Sequence, residues 1–216
     1  MHPAQALAPV FLTLLSAAAA LPAQARSPRS DTVFDTITLY GGRGADHNLR
    51  ELPRAVPSAE VDWDRTYFTG LGLSKQLGQL GDGITLLRDT PLGALGYGYE
   101  GIVVKHRGLQ DNMEAGAVGK LMTPWLFVGP VGVNAALGVG MSHAFGKPSY
   151  EDGPASDPQR RYRTQLLLTF DLEWKIRGAD DFSVVTRVHH RSGAYGLVAP
   201  RRVGSNFLAL GLRYHF

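Results

Sequence analysis

Between Arg161 and Ile176 the chain alternates with a period of two for sixteen residues. Tyr162, Thr164, Leu166, Leu168, Phe170, Leu172, Trp174 and Ile176 share one parity. Arg161, Arg163, Gln165, Leu167, Thr169, Asp171, Glu173 and Lys175 share the other, with Leu167 the main lapse. A period of two places one set on each face of a strand. Strands of soluble domains cluster near about 5–6 residues, whereas a strand that crosses a bilayer needs about 9–11. A long soluble sandwich strand shows the same alternation, so this segment predicts a long two-faced strand and leaves its solvent open.

The C-terminal segment repeats the pattern. Leu208, Leu210, Leu212, Tyr214 and Phe216 form one face, and Phe207, Ala209, Gly211, Arg213 and His215 the other. A terminal strand ending in Phe resembles the sorting signal of bacterial outer-membrane barrels, which predicts that the apolar face meets lipid. The mean hydropathy of −0.09 then has a simple meaning, because strands apolar on one side and polar on the other average to neutral. No stretch after the leader reaches 18 apolar residues, which excludes spanning helices.

That leader is residues 1–25. The run from Leu7 to Leu21 carries no charge, is too short for a spanning helix, and precedes Ala23-Gln24-Ala25, a small-x-small cleavage pattern. A secretory signal peptide cleaved before Arg26 is expected, leaving 26–216 as the barrel domain. The chain has no cysteine, so disulfides, thiolate zinc and cysteine nucleophiles are excluded. Its net charge of +3 is too small and scattered to point to nucleic acid.

The fold expected is all-β, an eight-stranded antiparallel transmembrane β-barrel. Its strands are read near Thr32–Gly41, Trp63–Ser74, Ala94–His106, Asn112–Met122, Pro130–His143, Arg161–Ile176, Asp181–Arg191 and Asn206–Phe216. An even number puts both termini in the periplasm, with the long polar connections Gly42–Asp62, Phe145–Gln159 and Gly193–Ser205 outside. Lys75–Gly93 is an exception, a long inner connection that calls for a misplaced strand or an extra short element. Glu100, Glu114, Asp171 and Glu173 with Arg163, Arg187 and Arg213 read as a charged filling of the lumen.

On the strand Asp181–Arg191, Phe182, Val184, Thr186, Val188 and His190 share the lipid face, and Ser192 continues it. Residues two apart lie about 6.6–6.8 Å apart, so an imidazole nitrogen is close enough to reach a hydroxyl at the outer-leaflet end of this strand. Such a pair is a minimal nucleophile and general base. His189 points to the opposite face, so His189 and His190 cannot share a metal ion, with or without His143 or His106. Neither a metal nor a cofactor is expected. Gly41-Gly42-Arg43-Gly44 opens no helix and is a poor phosphate loop, whereas Arg201 and Arg202 in the last outer loop form a better anion site.

The stretch Arg187-Val188-His189-His190-Arg191-Ser192-Gly193, with Gly204-Ser205-Asn206 before the strand ending in Phe216, resembles the outer-membrane lipid A 3-O-deacylases, acyloxyacyl hydrolase-like enzymes, and their barrel relatives. Gly138-Val139-Gly140-Met141-Ser142-His143 and Pro148-Ser149-Tyr150-Glu151 resemble a second segment of those relatives. The resemblance implies a metal-free serine esterase of the Gram-negative outer membrane that removes an acyl chain from lipid A, with Ser192 as nucleophile and His190 as base. It implies an acid after the serine, but no Asp or Glu follows Ser192; Asn206, on the same face, is the candidate orienter. It also implies an asparagine next to the serine for the oxyanion, where this chain has Gly193. The partners implied are lipopolysaccharide with its lipid A and the outer membrane, with a homodimer as a further candidate. Two other readings stand beside the esterase. One is a non-catalytic barrel that stabilises the membrane or displays its loops. The other is a lipid A enzyme of oxidative chemistry, for which the sequence supplies no machinery.

Overall fold

In a computed structural model the described residues are 32–151 and 153–216; the expected signal peptide lies outside them. Nine strands form: β1 (Thr36–Ala45), β2 (Trp63–Gln79), β3 (Gly96–Gly108), β4 (Met113–Met122), β5 (Leu126–Val128), β6 (Val131–Phe145), β7 (Thr164–Ile176), β8 (Phe182–Ser192) and β9 (Gly204–His215). β5 is a three-residue return that pairs with the start of β6 in a tight hairpin. The other eight run antiparallel in the order β4-β3-β2-β1-β9-β8-β7-β6, and pairing of β4 with β6 closes the ring. Closure leaves no open edge among the spanning strands, which a sheet in lipid requires.

The alternation decides which side each residue takes. Outward positions expose Leu39, Leu71, Val103, Leu121, Val139, Met141, Val184, Leu210 and Leu212, an apolar band around the wall. Aromatic rings flank it, with Trp63, Tyr67 and Phe145 at one end and Trp174, Phe182, Tyr214 and Phe216 at the other. This is the surface that a bilayer solvates.

Inward positions fill the lumen in layers. In the inner half, Arg187 donates to both oxygens of Asp171 (2.7 Å each) and to Glu100 (2.5 and 2.9 Å). Lys120 bridges the same two carboxylates at 3.1 and 2.7 Å. Arg213 reaches Glu173, which also accepts from Ser183. Three cations thus meet three carboxylates. Above them lies an apolar layer that includes Phe68, Leu167 and Phe207. Leu167, the lapse in the alternation, is fully buried there. In the outer half, His106 and His189 each hold one oxygen of Glu114, at 2.8 and 3.1 Å. Arg163, expected in the lumen, is exposed instead; Lys120 and Arg191 supply the cations. Arg163 precedes β7, so strand parity does not fix its direction, although its carbonyl still accepts from Ala144 and from Arg191.

Three strand ends differ most from expectation. β1 begins and ends four residues later, running through Gly41–Ala45, because the glycines serve packing. A Cβ on Gly42 would lie 2.5 Å from the Phe68 ring, and one on Gly44 would lie 2.2 Å from Thr66 and 2.9 Å from the Tyr150 hydroxyl. β2 extends to Gln79, and the long inner connection contains a helical turn, Leu80–Gly83, followed by a 3-10 turn, Thr85–Leu87.

The loop between β6 and β7 closes the outer mouth. Tyr150 donates to Asp64 Oδ2 (2.7 Å) and its ring packs edge-on against Phe207. Beside it, Glu151 meets Arg191 Nη1 at 2.7 Å and accepts from Gln165. Burial pushes the Glu151 carboxyl up to about 7, with Arg191 opposing and the Glu114 charge reinforcing it; Arg161 also opposes. Arg191 Nη1 is shared with Glu114 Oε2 at 3.6 Å, so one guanidinium does not offset the burial of both acids. A raised carboxyl pKa means the folded chain holds this proton where the unfolded chain, near 4.5, has released it. Stability from this group is therefore complete below about pH 4.5 and is lost as pH rises through about 7. Urea unfolding in detergent at pH 5 and pH 8 is expected to show wild type losing roughly 3 kcal/mol more than Glu151→Gln. Equal losses would refute a protonated Glu151.

Candidate functional site

His190 and Asn206 face each other directly across the β8–β9 ladder. Both side chains leave the sheet on the outward face, as parity requires. His190 Nδ1 lies 2.7 Å from Asn206 Oδ1, and the Asn206 amide nitrogen donates to the carbonyl of His47 at 2.6 Å. The second bond fixes the first. With its NH2 group held by a carbonyl, Asn206 presents its oxygen to the imidazole, so the proton sits on Nδ1 and Nε2 keeps its lone pair. Asn206 is buried and His190 is half-buried, which limits competition from water for this bond.

His47 belongs to the first outer loop, whose short helix α1 spans Leu52–Ser58. The loop is tied down by the His47 ring, where Nε2 accepts from the Asp62 N–H at 2.9 Å. Arg50 donates to the Tyr195 hydroxyl at 2.8 Å and so joins the first outer loop to the last. A backbone carbonyl 159 residues from Asn206 in the chain carries no sequence signal, and only the folded loop brings the two together.

Ser192 is the last residue of β8 and opposes Gly204. Its hydroxyl accepts from the Ala194 N–H at 3.4 Å, and among the described residues no hydrogen bond joins it to His190. In ligand-free sites catalytic hydrogen bonds are often long or unformed and tighten around substrate. The chain after Ser192 turns sharply. Gly193 O accepts from the N–H groups of Gly196, Val198 and Ala199, each at 3.1 Å, while Ala194 and Tyr195 adopt left-handed backbone (φ 50° and 56°).

This turn explains the glycine at 193. A Cβ there would lie 2.3 Å from the carbonyl oxygens of both Ala199 and Pro200, which are backbone and cannot swing aside. An asparagine at this position therefore needs a different loop. Gly193→Asn is expected to destabilise the loop 193–203 by about 1–3 kcal/mol. Faster amide hydrogen exchange confined to that loop is the readout, and unchanged protection rules the clash out.

The other candidates separate. His189 lies in the lumen with His106 and Glu114, on the opposite side of the wall from His190. His143 is outward but bonds Thr164 Oγ1 at 2.8 Å and packs on Phe145. Among the described residues no group of three His, Asp or Glu side chains could hold a metal ion. Arg201 and Arg202 are exposed in the last outer loop, and Arg201 Nε donates to the Tyr195 carbonyl at 3.3 Å.

No protein-family model and no curated protein matches the sequence. Among solved structures, the outer membrane enzyme PagL superposes with a TM-score of 0.51 at 15% identity, over 83% of this chain and 99% of that one. The chain is a closed eight-stranded antiparallel β-barrel resembling outer-membrane barrels. At that identity the likeness concerns the fold alone, and the apolar band with its aromatic girdles accounts for the setting. Neisserial surface protein A is also similar, with a TM-score of 0.46 at 8% identity over 84% of this chain and 96% of that one. So is the N-terminal barrel domain of OprF from Pseudomonas aeruginosa, with a TM-score of 0.40 at 8% identity over 85% and 98%. A barrel fold by itself assigns no chemistry, which must come from the side chains that stand on it.

Proposed function

We propose that this barrel is a serine esterase of the outer leaflet that removes an ester-linked acyl chain from lipid A, with Ser192 as nucleophile, His190 as general base and Asn206 as orienter. The observation that carries the reading is the His190–Asn206 bond on the lipid-facing wall, which leaves Nε2 as an acceptor two residues from Ser192. Ser192 Oγ attacks the ester carbonyl as Nε2 takes its proton. The tetrahedral oxyanion collapses, and the departing sugar oxygen takes that proton from His190. Water, deprotonated by the same nitrogen, then cleaves the acyl-serine and releases the fatty acid. The N–H groups of Gly193 and Ala194 follow the nucleophile and are held only by 3.4 Å contacts, so they are the cheapest donors to redirect toward the oxyanion. No metal takes part in these steps.

A second reading, a non-catalytic barrel with a structural or surface role, is favoured by one observation. Ser192 Oγ is turned to Ala194 N–H and away from His190. Mass spectrometry of lipid A from cells producing the protein decides between them. The esterase predicts loss of one hydroxyacyl chain, restored by Ser192→Ala; unchanged lipid A across several acylation patterns leaves the non-catalytic barrel.

A further inference from the structure

Three arginines stand on the lipid-facing side of the wall at the outer ends of β1, β2 and β3. Arg43 is directly opposite Tyr67, and Tyr67 is directly opposite Arg107, so the three form one row across three strands. Arg65 lies one outward step beyond Tyr67 on β2, and Trp63 one step beyond that. The Arg43 guanidinium lies over both rings, 5.5 Å from Trp63 and 5.6 Å from Tyr67, and its Nε donates to the Asp64 carbonyl at 2.9 Å. That bond uses Nε and leaves the two terminal nitrogens available to a ligand. Among the described residues no carboxylate comes within ion-pair distance of Arg43, Arg65 or Arg107, whereas the neighbouring Lys105 is taken up by Asp111.

Like charges side by side on a membrane-facing wall repel, so anions between the guanidinium groups stabilise the row. The spacing suits phosphate. Arg43 and Arg107 are two strand intervals apart, about 9.5 Å, and a guanidinium binds phosphate through two parallel hydrogen bonds. The aromatic rings mark the height of the headgroups and hold Arg43 upright.

We propose that Arg43, Arg65 and Arg107, braced by Tyr67 and Trp63, form a docking surface for the phosphate groups of lipid A in the outer leaflet. This surface adjoins the candidate site, since Arg43 also opposes Leu208, one step along β9 from Asn206. It rests on the membrane setting of the barrel and not on the esterase reading.

The test is native mass spectrometry of the detergent-solubilised full barrel, carrying Ser192→Ala, with three lipids: lipid A bearing two phosphates, the same lipid dephosphorylated, and phosphatidylglycerol. Bisphosphorylated lipid A is expected to bind at least about tenfold more tightly than the dephosphorylated form, a preference lost in the triple variant Arg43→Gln, Arg65→Gln, Arg107→Gln. The double variant Arg65→Gln, Arg107→Gln, which disturbs no side-chain hydrogen bond, is expected to lose part of it. The proposal is overturned if the triple variant, shown folded by heat-modifiable gel mobility, keeps the preference. It is equally overturned if phosphatidylglycerol binds as well as lipid A. Failure of the esterase reading has a separate signature: wild-type barrel that binds bisphosphorylated lipid A with the same preference but never hydrolyses it.

Discussion

Arg187→Met is expected to destabilise the barrel more than any other single replacement, by about 3–5 kcal/mol, because it strips a buried cation from two buried carboxylates. Arg187 makes four hydrogen bonds, two to Asp171 and two to Glu100, and its guanidinium also lies 4.3 Å from the centre of the Tyr40 ring. All of these groups are buried, so no water replaces the lost partner. Lys120 remains within reach of both acids and Arg213 lies 3.8 Å from Glu100, but these two cations cannot neutralise the three carboxylates Glu100, Asp171 and Glu173. The cost is one of balance more than of attraction. Arg187→Met combined with Asp171→Asn restores the charge count and is expected to cost less than the sum of the two single changes, by more than about 1 kcal/mol. Urea unfolding in detergent, followed by tryptophan fluorescence or gel mobility, measures all three variants. Strict additivity would mean that the lumen charges are solvated and independent, contrary to their burial.

At the candidate site the largest loss is expected from Ser192→Ala and His190→Ala, each lowering hydrolysis of lipid A by about 10³-fold or more, with the double variant no worse than either. Nucleophile and base act as one unit, so removing either leaves nothing for the other to do. Asn206→Ala should cost much less, about 10- to 100-fold. In serine proteases the step from a carboxylate to an amide behind the histidine already removes about 10⁴-fold, and this chain begins from the amide. The role proposed for Asn206 is orientation, through its bonds to His190 and to the His47 carbonyl. The three effects are read together as initial rates of fatty-acid release from purified lipid A. A double variant markedly slower than both singles, or Asn206→Ala as inactive as Ser192→Ala, contradicts the roles assigned.

Much of this molecule is legible from local periodicity. The eight spanning strands fall close to the positions that alternation predicts, because a strand with lipid on one side and a packed lumen on the other tolerates few lapses. The same rule placed His190 and Asn206 on one outward face and His189 on the inward one, as the register shows. It faltered where residues serve packing across the lumen. Gly42 and Gly44 read as the start of the first outer connection, yet they stay in β1, where Phe68, Thr66 and Tyr150 occupy the space of their missing side chains. Arg163 and Arg191 look alike in the sequence, but Arg191 lies inside β8 with an inward parity, and Arg163 lies just before the start of β7.

The sequence by itself determined the two faces of each strand, and therefore the closed barrel, its apolar exterior and its charged interior, since parity is a local property repeated at every second residue. Only the tertiary structure decided which charges meet and what orients the candidate base. Glu100 and Arg187, Glu151 and Arg191, Asn206 and the His47 carbonyl are distant in the chain and are joined by closure of the ring and by loops that fold over its mouth. Loop conformation has no period to read, and register across a closed sheet depends on every strand at once.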